Sequence, residues 1–150
     1  MPSKFHILLV EGSRTDVKII ERALREGGVE HRLTAIPDGC QALDYLFQLH
    51  HTAEPEGREP DLILLDLDLP GIEGCQVLSA IKGDPFLRTI PVVVLTTSHR
   101  AEDVMRTYQV GANTSIRKPS EYPRYRDLVV TLRQYWQEAA PRPPHDRPRL

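Results

Sequence analysis

Two carboxylates, Asp66 and Asp68, follow at once on the unbroken apolar run Leu62-Ile63-Leu64-Leu65 and precede the turn sequence Leu69-Pro70-Gly71. Such a run reads as a buried strand that delivers a carboxylate to the edge of a sheet. In an open parallel sheet the crevice beyond the carboxyl ends of the strands is where ligands bind. Three other short runs end in side chains of related chemistry. Glu11 follows Phe5 to Val10, Thr96-Thr97-Ser98 follows Val92 to Leu95, and Lys118-Pro119 follows Thr114 to Arg117. Carboxylates, a hydroxyl and an ammonium on one rim fit phosphoryl transfer to a carboxylate. Asp66 would attack phosphorus, Lys118 and Thr96 would bind phosphoryl oxygens, and a divalent ion held by carboxylates would neutralise the remainder. Magnesium is the expected ion, because it takes oxygen ligands and keeps several waters.

The elements that must position these residues alternate in kind. After the first strand, Val17, Ile20, Ala23 and Leu24 recur at helical spacing between Arg14 and Arg25, and Gly27-Gly28 closes that helix. Arg32 to Ile36 reads as a second strand, and Ala42, Leu43, Leu46, Phe47 and Leu49 mark a helix starting near Gly39. His51 to Pro60 is polar and carries two prolines and a glycine, which predicts a surface loop. The third helix is expected over Gly74 to Lys82 and the fourth around Val104, Met105, Tyr108 and Val110, ending at Gly111. The last is expected from about Glu121 to Glu138. Five strands alternating with five helices predict an α/β fold, a five-stranded parallel sheet with right-handed crossovers and helices on both faces. The domain is expected over residues 1–138. A proline- and arginine-rich tail, 139–150, is expected to be disordered.

Composition narrows the partners. At 150 residues the chain fits one domain, and 19 basic against 21 acidic side chains give a net charge of -2, so no global basic field points to nucleic acid or to an anionic membrane. Phe5 to Val10 is too short for a signal or membrane segment, so a cytoplasmic home is expected. Cys40 and Cys75 show no metal spacing and are expected to be free thiols. His50-His51 lies without carboxylate or cysteine partners at ligand spacing and reads as solvated. Tyr135 and Trp136 give the last helix more apolar surface than one core stripe needs, which predicts a homodimer patch.

Ile7-Leu8-Leu9-Val10-Glu11, Leu62 to Asp66 with Leu69-Pro70-Gly71, Pro91 to Thr96, and Lys118-Pro119 together resemble the receiver domain of two-component response regulators. The likeness spans about residues 5 to 138, in order and spacing. Glu11-Gly12-Ser13-Arg14-Thr15-Asp16, the long loop before the third strand and Leu95-Thr96-Thr97-Ser98 most resemble the stand-alone regulators paired with phytochrome-type histidine kinases. The resemblance implies a flavodoxin-like fold and a phosphoacceptor rather than an enzyme, with at most self-catalysed phosphotransfer and autodephosphorylation. It implies that Asp66 accepts a phosphoryl group from a kinase phosphohistidine, Thr96 follows that group and Lys118 bridges it. Glu11 matches the first member of an acidic pair, and Asp68 the position whose main-chain carbonyl binds the metal, so the magnesium set is Glu11, Asp66 and Asp68. The implied partners are a histidine kinase, in particular a bacteriophytochrome, and a downstream protein that the sequence does not identify.

Two positions depart from the family pattern. Gly12 stands where a second carboxylate is usual, and Ser115 where an aromatic ring on the fifth strand usually turns inward behind Thr96. The Asp68 side chain could replace the missing ligand, or it could be a solvated loop acid. Thr96 could serve the phosphoryl group or cap the helix that begins near Arg100. A receiver-like interaction module with weakened phosphorylation is therefore the alternative function. A flavodoxin-like enzyme is disfavoured, because no glycine-rich phosphate loop follows the first strand.

Overall fold

A computed structural model of the chain describes residues 4–51, 59–98 and 100–139, the side chains of His50 and of residues 137–139 excepted. The strands are β1 (Phe5–Val10), β2 (His31–Ile36), β3 (Leu62–Asp66), β4 (Val92–Thr96) and β5 (Thr114–Arg117). The α-helices are α1 (Arg14–Glu26), α2 (Gly39–Gln48), α3 (Gly74–Gly83), α4 (Ala101–Val110) and α5 (Tyr122–Arg133). All strand pairings are parallel, in the order β2-β1-β3-β4-β5. The order reverses between β1 and β3, and at such a switch point the loops leave toward opposite faces and open a crevice. Glu11 and Asp66 stand on its two sides.

The three inner strands are buried at every residue, which is why they read as continuous apolar runs rather than alternating ones. Alternate side chains supply two cores. Leu8, Val10, Ile63, Leu65, Val92 and Val94 pack with Ala42 and Leu46 of α2 and with Val77, Leu78 and Ile81 of α3. Ile7, Leu9, Leu62, Leu64, Val93 and Leu95 pack with Ile20 and Leu24 of α1 and with Tyr125, Val129 and Leu132 of α5. Truncating a fully buried member such as Leu65 to alanine would cost about 2–5 kcal/mol, the transfer term plus the cavity left behind. Both cores clamp β3, so the position of Asp66 is held from above and below.

Several boundaries differ from expectation. The last helix is regular α only to Arg133 and continues as a wider π-helical segment, Gln134–Ala139. Trp136 packs against the α1/α5 core while Tyr135 is exposed, so only one of the two rings is surplus apolar surface. Short 3-10 turns, Leu49–His51 and Leu87–Thr89, stand where neither period is long enough to show. The first of these includes His51, placed in the loop by its polarity. Cys40 is exposed and Cys75 buried, both unpaired. Of the loop expected over His51 to Pro60, residues 52–58 lie outside the described residues, as do residues 140–150 of the expected tail.

Candidate functional site

Asp66 is the last residue of β3 and is 2% exposed. Its backbone geometry depends on glycine at 74: a Cβ there would lie 2.5 Å from Leu67 Cα and 2.6 Å from Asp66 O. Any larger residue would push the first turn of α3 off the loop that follows Asp66. Asp66 Oδ1 accepts the Asp68 N–H at 3.0 Å, which fixes the carboxylate and leaves Oδ2 toward Lys118.

Lys118 follows β5, with its N–H donated to Thr96 O at 2.8 Å, so the ends of β4 and β5 are tied together. Its ammonium donates to Glu11 Oε2 and Asp16 Oδ2, each at 2.8 Å, and lies 3.4 Å from Asp66 Oδ2. Glu11 also accepts the Ser13 N–H through Oε1 at 3.1 Å. Burial alone would lower the Lys118 pKa, but hydrogen bonds to Asp16 and Glu11 and the charge of Asp66 outweigh it and hold the ammonium well above its ordinary range. Glu11 moves the other way for an acid. Burial first, then a hydrogen bond shared with Asp66, raise it to about 7 against the lowering pull of Lys118.

Glu11 and Asp66, each 2% exposed, face the same ammonium, and two buried carboxylates side by side are a donor set that favours a hard cation, since its charge relieves their repulsion. Glu11 and Asp66 therefore fit a divalent ion, with the Asp68 carbonyl and waters to complete the shell. The Asp68 carboxylate points elsewhere, accepting the Thr97 hydroxyl at 3.2 Å on the β4–α4 loop. Among the described residues no three acidic, histidine or cysteine side chains converge into a metal-holding group.

Thr96, 3% exposed, ends β4 and its Oγ1 accepts the Ser98 N–H at 3.0 Å. It lines a cavity of about 280 Å³ with Asp68, Ser98, Cys75, Asp103 and Arg106. Ser115 brings no ring to the far side of Thr96. Its Oγ is buried without a hydrogen-bond partner, and its N–H is donated at 3.1 Å to Tyr108 Oη from α4.

The structure thus brings Glu11, Asp66 and Lys118 into one cluster with Thr96 at its margin, and turns the Asp68 side chain outward. Asp16 belongs to the cluster and sequence reading missed it. An acid in the first turn of a helix ordinarily reads as complementing the helix dipole, and this one has Ser13 as its N-cap. The available signal was the missing carboxylate at Gly12, one helical turn earlier.

The family model of the response regulator receiver domain matches residues 7–130. Response regulator Rcp1 of Synechocystis sp. is 38% identical over 138 residues, which cover 91% of this chain and 92% of that protein. The crystal structure of the phosphorylated cyanobacterial phytochrome response regulator RcpA superposes with a TM-score of 0.84 at 36% identity, over 95% of this chain and 100% of that one. The Mn(2+)-bound form of Rcp1 gives 0.81 at 36% identity, with the same coverage. Among the described residues no helix is long and apolar enough to cross a membrane.

Proposed function

The chain belongs to the response regulator receiver domain family, and from that membership we propose that it accepts a phosphoryl group from a histidine kinase onto Asp66 in a magnesium-dependent phosphorelay. The kinase we propose is a phytochrome-type photosensor, because RcpA, whose structure covers 95% of this chain, is a cyanobacterial phytochrome response regulator. The observation that carries the reading is the placement of Asp66 Oδ2, 3.4 Å from the Lys118 ammonium and beside a Glu11 carboxyl raised to about 7.

In the proposed step an Asp66 oxygen attacks the phosphorus of phosphohistidine. A P–O bond forms, the P–N bond breaks, and the imidazole leaves and takes up a proton. Lys118 stabilises the added charge on the phosphoryl oxygens, and the Thr96 hydroxyl, which accepts the Ser98 N–H, donates its own hydrogen to one of those oxygens. Glu11 and Asp66, with the Asp68 main chain, would hold magnesium, which when bound supplies charge neutralisation of the phosphoryl group. Burial of the cluster keeps water from competing with the carboxylate.

Incubation with magnesium and acetyl phosphate tests this. A base-labile mass gain of one phosphoryl group, absent in Asp66→Asn, supports it, and no gain in the wild type overturns it. Phosphotransfer profiling against histidine kinases then identifies the donor. Gly12 favours a second reading, an interaction module with weakened phosphorylation, and the same incubation separates the two by rate. We also propose a homodimer through the C-terminal helical end, with Tyr135 as its exposed ring, 54% accessible. Sedimentation of Tyr135→Ser against wild type tests it, and equal masses at micromolar concentration sink it.

A further inference from the structure

The Lys118 ammonium has three hydrogens and two short partners. Glu11 Oε2 and Asp16 Oδ2 each lie at 2.8 Å, whereas Asp66 Oδ2 lies at 3.4 Å, an ion-pair separation without a short hydrogen bond. Charge alone would not choose this arrangement. Asp66 is nearly as buried as Glu11, and a buried carboxylate attracts an ammonium more strongly than a partly solvated one. What draws the ammonium outward is Asp16, whose side chain is 26% exposed and whose place is set by its own N–H, donated to Ser13 Oγ at 3.2 Å. One hydrogen is already without a short partner, so what Asp16 fixes is the position of the nitrogen: without that anchor the ammonium would close on Asp66 Oδ2 and tie up an oxygen that must attack phosphorus.

Position 12, a glycine, has no carboxylate to do this in its place. A Cβ on Gly12 would fall 2.9 Å from Pro70 Cδ and 3.4 Å from Pro37 O, so a side chain there needs the turn after Asp66 to move. A carboxylate can reach the cluster without that strain from α1, one helical turn later.

We infer that Asp16 is a positioning residue for the reaction at Asp66: its carboxylate holds the Lys118 ammonium beside Glu11 and off the attacking oxygen of Asp66. The inference rests on the phosphoacceptor reading, but the clamp can be measured without phosphorylation. On arrival of the phosphoryl group Lys118 has only to turn from Asp16, the most solvated of its three partners, while keeping Glu11.

The test follows the Lys118 side-chain ammonium by heteronuclear NMR in the full chain without metal, and separately the rate of phosphorylation by acetyl phosphate with magnesium. Wild type should show a slowly exchanging ammonium. Asp16→Asn keeps the size and the backbone bond to Ser13 but loses the charge. It should speed ammonium exchange at least tenfold and slow phosphorylation by about 10–100-fold, the usual loss when a group that orients a reacting residue is removed. Asp16→Glu, still able to reach the ammonium, should recover most of both. An Asp16→Asn protein with wild-type exchange or wild-type phosphorylation overturns the inference, as does a folded Asp16→Glu protein that recovers neither. If wild type takes up no phosphoryl group while its ammonium is protected in an Asp16-dependent way, the clamp stands. The phosphoacceptor reading then fails, and with it the role of Asp16 in the reaction.

Discussion

The ring of Pro70 occupies the side-chain space of Gly12, with Cδ 2.9 Å from where a Cβ on residue 12 would be. The position after Glu11 and the turn after Asp66 are therefore coupled by packing across the crevice. Gly12→Ala should destabilise the protein by about 1–3 kcal/mol, because an added methyl in a filled space forces the ring or the backbone to shift. In a Pro70→Ala background the same substitution should be neutral or mildly stabilising, since alanine restricts the unfolded chain more than glycine does. Urea midpoints of the four proteins form the cycle, and a coupling below about 0.5 kcal/mol would show the two sites to be independent.

Glu11 gives the metal-free protein a pH dependence of definite sign. Burial, then the neighbouring Asp66 side chain, lift its folded pKa from 4.5 to about 7. Between those values the folded state keeps a proton that the unfolded chain has released, so this group's contribution to stability falls as pH rises through the window and levels off above it. Glu11→Gln should flatten that slope in urea unfolding measured across the same range. Magnesium binding should release a proton near pH 6 to 7, seen as a buffer-dependent heat in calorimetry, and Glu11→Gln should abolish that dependence. Equal slopes for the two proteins would place the titration elsewhere.

How much of this was legible in the sequence follows from which signals are local. Leu62 to Asp66 and Val92 to Thr96 are buried on both faces, so each strand announced itself as an apolar run with a candidate site residue at its end. Their convergence followed from the alternation of strands and helices. Asp16 was hidden because its role arises only when α1 packs against β5's exit, a relation between residues far apart in the chain. Asp68 was misleading for the opposite reason: its spacing from Asp66 put it near the site, but the turn at Leu69-Pro70 points its carboxylate to Thr97. The end of α5 was misjudged because a π segment and an α-helix share the same apolar residues.

Tyr108 carries a prediction of its own. Its hydroxyl accepts the Ser115 N–H at 3.1 Å and lies 3.3 Å from Thr114 Oγ1, so a ring from α4 caps the outer edge of β5 where the family has a ring on β5 itself. Tyr108→Phe removes this cap and leaves the ring. The edge N–H turns to water, so stability should fall by no more than about 0.5–1.5 kcal/mol, with the denaturant slope unchanged. The Ser115 amide should exchange faster by hydrogen-exchange NMR, while amides of β3 keep wild-type protection. Unchanged exchange at Ser115 would mean that the cap does not persist in solution.

The last prediction concerns the residue that looked like the replacement for Gly12. The Asp68 carboxylate is exposed and accepts the Thr97 hydroxyl, so its attraction for an ion at Glu11 and Asp66 acts through solvent. Asp68→Ala keeps the main-chain carbonyl and the N–H that holds Asp66 Oδ1. Magnesium affinity should therefore fall by less than about threefold, in keeping with a screened surface charge. Thr97→Val, which frees the same carboxylate from its hydroxyl partner, should leave affinity equal or slightly higher. A tenfold loss in Asp68→Ala would require the side chain to leave Thr97 and enter the ion's coordination shell, where removing a ligand has effects of that size. Calorimetric titration of both variants beside Asp16→Asn ranks the carboxylates, and the arrangement of Lys118 predicts the larger loss at Asp16.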